Sequence, residues 1–198
     1  MKVLIVGANG LLGSAAVTAL KERHQVIEAS RSSDITVDLA EPDSIRRMFE
    51  EVGTVDAVIS CTGSLPFKPL ADLTEKDFRS GIDDKVLGQV NLVQIGADHV
   101  SDGGSFTLTS GVLSHDPIRL GAGASLVNGA LDSFVRAAAI ELPRGLRINA
   151  VSPGVLEESL PSYGPYFRGH DAVPGKRVAN AYVKSVEGAL TGQVFHVL

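Results

Sequence analysis

A glycine-rich segment near the N-terminus is the first candidate for chemistry. It follows the apolar run Lys2–Val6. Gly7 permits a tight turn, Gly10 lets the backbone approach a pyrophosphate, and Gly13 allows a helix to pack closely on the strand. The free N–H groups at the start of that helix would face the anion. A purely structural turn is the alternative to a phosphate-binding loop. The predicted phosphate-binding residues are Gly7, Asn9, Gly10, Leu11, Leu12 and Gly13.

The residues after the second apolar run indicate which nucleotide the loop would bind. NAD sites place an acidic residue there to hold the ribose 2′-hydroxyl. This chain has Ser30, Arg31 and Ser32 instead. A guanidinium flanked by hydroxyls suits the negative charge of a 2′-phosphate. We therefore predict NADP(H) as the cofactor, against the alternative of an arginine in an exposed loop.

Short apolar runs alternate with segments of helical period along the whole chain. This pattern predicts an α/β protein with a three-layer Rossmann fold, whose doubly wound parallel sheet has about seven strands. No linker or repeat divides the chain, so we expect a single dinucleotide-binding domain over residues 1–198. The predicted strands are 2–6, 25–30, 35–38, 57–61, 105–109, 146–151 and 193–197, and the main predicted helices are 11–22, 74–99, 122–142 and 177–189, with a turn at 102–104 and a loop over 156–175.

Composition limits the partners. A formal net charge of −5 without a block of Lys or Arg argues against nucleic-acid binding. The single cysteine, Cys61, excludes an internal disulfide. No apolar stretch approaches the roughly 20 residues of a membrane helix. We expect a cytoplasmic protein that acts on a small molecule, with no nucleic-acid partner, no membrane partner and no metal site.

Further motifs follow the glycine loop in a fixed order. They are Asp38-Leu39, Cys61-Thr62-Gly63, Thr107–Ser110, and the long stretch from Ala137 to Gly154 that ends in Ser152-Pro153-Gly154. Together they resemble the short-chain dehydrogenase/reductase family over nearly the whole chain. The resemblance implies that the cofactor also contacts Asp38, Leu39, Cys61, Thr62, Gly63, Pro153, Gly154 and Val155.

The resemblance fails at the catalytic pair. The family uses Tyr-x-x-x-Lys, in which the lysine lowers the tyrosine pKa from its usual value of about 10 so that the tyrosine can exchange a proton. Ala124 and Asn128 occupy these positions here. Ser110 falls close to the family serine that binds the substrate carbonyl, and Lys85 replaces a family asparagine. Both are candidate catalytic residues, each with a purely structural alternative.

Three functions remain open at this point. The first is an NADP(H)-dependent oxidoreductase that acts on a small carbonyl or alcohol with an atypical active site. The second is a catalytically silent NADP(H)-binding sensor or scaffold, and the third is an isomerase or lyase. Because the family usually associates through its two long helices, we expect a homodimer or homotetramer formed by residues 74–99 and 122–142.

Overall fold

The computed structural model describes residues 1–63 and 65–198, and its centre is a parallel sheet of seven strands. The strand order is β3-β2-β1-β4-β5-β6-β7, and every neighbouring pair is parallel. This arrangement confirms the predicted Rossmann architecture. The strands are β1 (Lys2–Val6), β2 (Gln25–Ser30), β3 (Ile35–Thr36), β4 (Val55–Ser60), β5 (Val100–Thr109), β6 (Arg147–Pro153) and β7 (Val194–Val197).

Helices cover both faces of the sheet. The apolar core has one cluster on each face, and each cluster joins side chains of the strands to side chains of the helices above them. One cluster contains α2, α4 and α5, and the other contains α1 and α7. The helices are α1 (Leu11–Leu20), α2 (Pro42–Val52), α3 (Glu75–Gly81), α4 (Gly88–Gly96), α5 (Ala122–Glu141), α6 (Leu160–Tyr163) and α7 (Gly175–Glu187).

The strand β1 lies in the middle of this sandwich. It pairs with β2 on one side and with β4 on the other, and its residues Val3–Val6 are buried. A strand that is covered on both faces has no reason to alternate polar and apolar residues. The uninterrupted apolar run therefore correctly predicts a central strand, and it delivers Gly7 to the carboxyl edge of the sheet.

The helix expected over residues 74–99 is not continuous. Its start is as predicted, because Thr74 caps α3 by accepting a hydrogen bond from the backbone N–H of Asp77. A π-helical turn, Ile82–Leu87, then separates α3 from α4, and a 3₁₀ turn, Ala97–His99, follows. Single π-turns inside helices are rare and often mark functional sites. This turn contains Lys85.

Two other boundaries differ from expectation. The predicted turn at 102–104 lies inside β5, which begins at Val100 and carries an irregularity where its pairing with β4 shifts. Gly103 adopts a φ of +72°, which explains why the local sequence resembles a turn. The expected loop over 156–175 contains α6 and short 3₁₀ turns. Within the described residues, no helix is long and apolar enough to cross a membrane.

Candidate functional site

A cleft of about 610 Å³ opens at the carboxyl ends of the central strands. It lies where α1 and α4 cover opposite faces of the sheet, the position at which doubly wound sheets bind ligands. Its walls come from the glycine loop, from the segment after β2 and from the end of β4. Of the predicted cofactor residues, it is lined by Gly7, Asn9, Gly10, Ser30, Arg31, Ser32, Asp38, Leu39, Cys61, Thr62 and Gly63.

The glycine loop is closely packed. Gly7 has a φ of +82°, and a Cβ there would lie 2.7 Å from the carbonyl oxygen of Cys61. A Cβ on Gly13 would lie 2.1 Å from the carbonyl oxygen of Gly7, so this glycine is required where α1 crosses β1. Gly13 is buried and does not line the cleft, and neither do Leu11 and Leu12. The positions of Leu11, Leu12 and Gly13 therefore give no support to a direct contact between these residues and the cofactor.

Among the residues that the structure describes, no side chain caps the start of α1. Gly10 is the N-cap residue and offers no side chain to the first N–H groups. Those groups and the positive end of the helix dipole favour an anion at this place. The cradle and the open cleft thus fit the pyrophosphate of a dinucleotide.

The segment after β2 forms a polar pocket beside the loop. Asn9 donates from Nδ2 to Ser30 Oγ at 3.0 Å and to Ser32 Oγ at 3.1 Å. The exposed side chain of Arg31 lines the same cleft. The geometry leaves one guanidinium and several hydroxyls at the point where a ribose would lie.

Under the cleft, a buried polar group ties α7 to the ends of β4 and β5. Tyr182 is fully buried, and its hydroxyl lies 2.7 Å from Thr109 Oγ1. Burial raises the pKa of the Cys61 thiol to about 12 and also raises the pKa of Tyr182 well above its ordinary value. Although Cys61 reaches the cleft, its thiol stays protonated and is therefore unsuited to act as a nucleophile.

A second cavity of about 220 Å³ adjoins the cleft and shares Gly63 with it. The predicted cofactor residues Pro153, Gly154 and Val155 line this cavity rather than the cleft. Its remaining wall is largely apolar and aromatic. The other apolar and aromatic side chains that line it are Leu65, Phe67, Val112, Leu113, Ala124, Val127, Leu156, Tyr163 and Phe167.

The two candidate catalytic residues meet in this cavity. Lys85 is 9% exposed, and its Nζ donates to the backbone carbonyl of Ser110 at 2.9 Å. The stem of Lys85 packs on Gly63, where a Cβ would lie 2.5 Å from Lys85 Cγ. Burial lowers the pKa of Lys85 to about 8, against the opposing effect of Asp132 and Asp84. Lys85 can therefore exchange a proton near neutral pH.

The two positions at which the sequence analysis expects the family's tyrosine and lysine also lie at this cavity. Ala124 and Asn128 both line the cavity, with neither a proton donor of the tyrosine kind nor a charge. Among the described residues, Ser110 Oγ and Asn128 Oδ1 are buried without a hydrogen-bond partner. Buried polar atoms are nearly always paired. Because both residues line the cavity, these two unpaired atoms are its candidate hydrogen-bonding groups.

Asp132 is a charged residue that the sequence analysis did not single out. It lies one turn after Asn128 on α5, is 5% exposed, and accepts a hydrogen bond from Ser114 Oγ at 2.6 Å. The four-residue spacing from Asn128 places both on one face of the helix. An acidic residue on the buried face of a helix was the signal that could have identified it.

Some of the aromatic and charged residues around this region line the cavity, and others do not. Tyr163 lines it and lies edge-on to Phe67, with ring centres 5.6 Å apart. Tyr166 stacks on the far side of Phe67 at 5.0 Å. His115 instead lies against the ring of His196, and neither His115 nor the neighbouring Asp116 lines the cavity.

Comparisons with known sequences identify the family. The family model described as Enoyl-(Acyl carrier protein) reductase matches residues 1–184. Glucose and ribitol dehydrogenase homolog 2 of Arabidopsis thaliana is 26% identical over 188 residues, which cover 85% of this chain and 65% of that protein. Short chain dehydrogenase claC of Passalora fulva is 31% identical over 158 residues, which cover 75% of this chain and 59% of the relative. The chain thus spans less than two thirds of the length of these two relatives.

Solved structures agree. The protein lin1944 from Listeria innocua is 50% identical and superposes with a TM-score of 0.98, with complete coverage of both chains. A small-chain dehydrogenase in complex with NADPH is 25% identical, with a TM-score of 0.89 and coverage of 100% of this chain and 96% of that one. From its sheet, its nucleotide cleft and these relatives, the chain belongs to the short-chain dehydrogenase/reductase family.

Proposed function

We propose that this protein is an NADP(H)-dependent oxidoreductase that interconverts a small carbonyl compound and its alcohol, with Lys85 as the proton donor. The observation that carries the proposal is the buried Lys85 ammonium, which lies beside Ser110 in a cavity that opens next to the nucleotide cleft. The family membership indicates hydride transfer to or from a carbonyl as the reaction class. The cavity indicates a proton donor other than the family's tyrosine.

The cofactor is assigned from the cleft. Gly7 and Gly10 accommodate the pyrophosphate, Arg31 with its neighbouring serines holds the 2′-phosphate, and Asp38 lies at the adenine end. The related dehydrogenase solved with NADPH supports this choice. When bound, NADP(H) supplies or accepts the hydride at the cavity side of the cleft.

The substrate is held by the second cavity. Ser110 Oγ donates a hydrogen bond to the substrate oxygen, and Lys85 gives that oxygen its proton during reduction. A lysine whose pKa is about 8 is partly deprotonated near neutral pH, the condition under which general acid–base groups work well. The apolar and aromatic wall favours a neutral, compact aldehyde or ketone.

A catalytically silent NADP(H)-binding sensor or scaffold is the second candidate. It is favoured by the methyl group of Ala124 and the amide of Asn128, which occupy the positions of the family's tyrosine and lysine. This candidate predicts cofactor binding without hydride transfer to any carbonyl.

We also propose that the protein forms a homodimer or homotetramer. Leu87 and Leu126 are 44% and 46% exposed, in the π-turn and on α5, which are parts of the two helical segments expected to associate. Sedimentation at micromolar concentration is the test, and a monomer there would reject this assembly.

The function is tested with two measurements on one sample. Calorimetry first compares the affinities for NADPH and NADH, and NADPH oxidation is then followed across a panel of small aliphatic and aromatic aldehydes and ketones. Preferential NADPH binding with turnover is the expected result. Binding without turnover on the whole panel would favour the silent sensor, and absence of binding would contradict the cofactor assignment.

A further inference from the structure

The Lys85 ammonium and the Asp132 carboxylate are buried in the same region, yet they are not in direct contact. Among the described residues, neither forms an ion pair within 4.0 Å, although Asp132 is the largest electrostatic influence that opposes the loss of the lysine proton. Burial alone drives a lysine toward its neutral form. The two groups are joined through adjacent residues of one segment, because Lys85 Nζ donates to the Ser110 carbonyl, and Ser114 Oγ lies 3.1 Å from the Gly111 carbonyl and donates to Asp132. An acidic residue held there favours the ammonium form of Lys85.

The Asp132 carboxylate is fixed at one oxygen and free at the other. Oδ2 accepts the 2.6 Å hydrogen bond from Ser114 Oγ, and the same hydroxyl lies 3.1 Å from the carbonyl oxygen of Gly111. Oδ1 is buried with no hydrogen-bond partner in the described chain. Leaving a buried carboxylate oxygen unpaired is costly, so its retention needs a compensating interaction.

Few charged or titratable groups in the described part of the chain surround Lys85, and they come from several elements. Its own π-turn contributes Asp84, which lines the nucleotide cleft, and Asp83, which is exposed. The end of β5 contributes the Ser110 carbonyl, and residues 61–63 contribute the Cys61 thiol, which is neutral. The helix α5 contributes Asp132. Asp132 is therefore the buried charge that faces Lys85 from another element.

We propose that Asp132, oriented by Ser114, is a positioning residue that keeps the Lys85 ammonium charged and directed into the cavity, so that a lysine–aspartate pair takes the place of the family's tyrosine–lysine pair. The inference rests on the proposed function, because it assigns a role in the same site. Nothing in the family motif assigns a role to the position of Asp132.

The proton inventory of the proposed reduction is balanced. Lys85 would give its proton to the carbonyl oxygen as that N–H bond breaks and the O–H bond forms, and it would be left as a neutral amine. A bound NADPH would supply the hydride for the new C–H bond and would become NADP⁺, so that charge and electrons balance. A proton from water then restores the ammonium, which the Asp132 charge favours.

The test compares Asp132→Asn with Asp83→Asn, which removes the same charge from an exposed residue near Lys85. The full chain is labelled with [ε-¹³C]lysine and saturated with NADP⁺, and the Lys85 signal, assigned from Lys85→Met, is titrated by NMR. Because an opposite charge nearby shifts a pKa by about 1–3 units, we expect Asp132→Asn to lower the Lys85 pKa by about one unit. Asp83→Asn should leave it unchanged.

The same variants are then assayed for carbonyl reduction as a function of pH. The alkaline loss of kcat should move to lower pH in Asp132→Asn by the shift that NMR records, so for a shift of one unit from a pKa of about 8 the rate at pH 8 falls about fivefold. If Asp132 had only a structural role, its replacement would reduce kcat without changing the pH at which kcat is lost on the alkaline side. If Asp132→Asn does not fold, Ser114→Ala should give a smaller shift in the same direction.

The results distinguish the positioning role of Asp132 from the proposed reductase function. An unchanged Lys85 pKa in a folded Asp132→Asn or Ser114→Ala protein overturns the positioning role, even if the wild type is an active reductase. A lowered pKa in a wild-type background that reduces no carbonyl overturns the proposed function and the catalytic part of this inference, while the electrostatic coupling of the two side chains stands.

Discussion

The nucleotide cleft and the second cavity adjoin each other and share Gly63, but backbone atoms shape the first and side chains shape the second. The cleft depends on backbone geometry, since a Cβ on Gly7 or Gly13 would lie within 2.7 Å of a carbonyl oxygen. The cavity depends on side chains, since Lys85 projects its amine across Gly63 into it. A site made by the backbone allows few substitutions, whereas a site made by side chains can be rebuilt while the fold stays the same.

The difference appears directly against the family pattern. The glycine loop and the segment before Gly154 match it, and the cleft has the shape that the pattern implies. Ala124 and Asn128 stand where we expect the family's tyrosine and lysine, and the nearby charges come from the π-turn and from Asp132. The comparison suggests that the cofactor half and the proton-transfer half can be disabled separately.

Gly13→Ala should give the largest effect, because it breaks the cleft at its backbone. The new Cβ would lie 2.1 Å from the Gly7 carbonyl oxygen and would push α1 away from β1. We expect loss of measurable NADPH binding and destabilisation by about 2–3 kcal/mol. Calorimetry and urea unfolding measure both. Gly129→Ala is the control, because among the described residues no atom beyond the neighbouring backbone of α5 lies within 4 Å of its added Cβ. Normal NADPH binding by Gly13→Ala would contradict the packing argument.

Lys85→Met should disable the cavity alone. Loss of general acid catalysis reduces rates by about 100- to 10,000-fold, and we expect kcat for carbonyl reduction to fall within that range while NADPH affinity changes less than about threefold. Steady-state kinetics and calorimetry give the two values. Lys176→Met, at an exposed position of α7, should leave both unchanged. Full activity in Lys85→Met would show that Lys85 is not the proton donor.

Arg31→Ala tests which part of the cleft distinguishes NADPH from NADH. Hydrogen bonds to charged groups are worth about 1.5–3 kcal/mol, so NADPH affinity should fall about 10- to 100-fold while NADH affinity stays nearly constant. Arg47→Ala, on the exposed face of α2, serves as the matched charge control. An equal loss of affinity for NADPH and NADH would indicate that Arg31 does not bind the 2′-phosphate.

The smallest effect concerns stability as a function of pH. Lys85 has a pKa of about 8 in the folded chain and an ordinary value near 10.5, so above pH 8 the unfolded state binds more protons and stability rises. The raised pKa values of Cys61 and Tyr182 act in the opposite direction at higher pH. The difference in unfolding free energy between wild type and Lys85→Met should therefore move by about 1 kcal/mol in favour of wild type from pH 8 to 9.

Urea unfolding at the two pH values measures this difference. Lys176→Met should show no comparable change, because its lysine is exposed in the fold. A pH-independent difference between wild type and Lys85→Met would show that Lys85 does not titrate in this range.

The sequence was sufficient for the features that depend on local patterns. The apolar run of β1, the glycines of the loop and the capping residue Thr74 each have a local physical requirement, and each lies where it was expected. Lys85 and Ser110 could be named as candidates from register alone, and the structure places them together.

The remaining features depend on contacts between distant segments. Asp132 is separated from Lys85 by 47 positions, the difference between the two residue numbers, and its partner Ser114 lies in a third segment. The cavity wall joins Phe67 to residues near Tyr163, which no local pattern connects. The end of α3 was missed because nothing in its composition separates a π-turn from an ordinary helical turn.

The π-turn has a consequence for the phase of the whole segment. Each residue of an α-helix advances the side-chain direction by about 100°, so the wider turn at Ile82–Leu87 rotates α4 relative to α3. On one side of it Gly81 packs against Leu65, and on the other Gln89 bonds to the backbone of Thr109 through both ends of its amide. The π-turn therefore sets which residues of α4 point toward the sheet, and removing one residue from it would rotate α4 relative to α3.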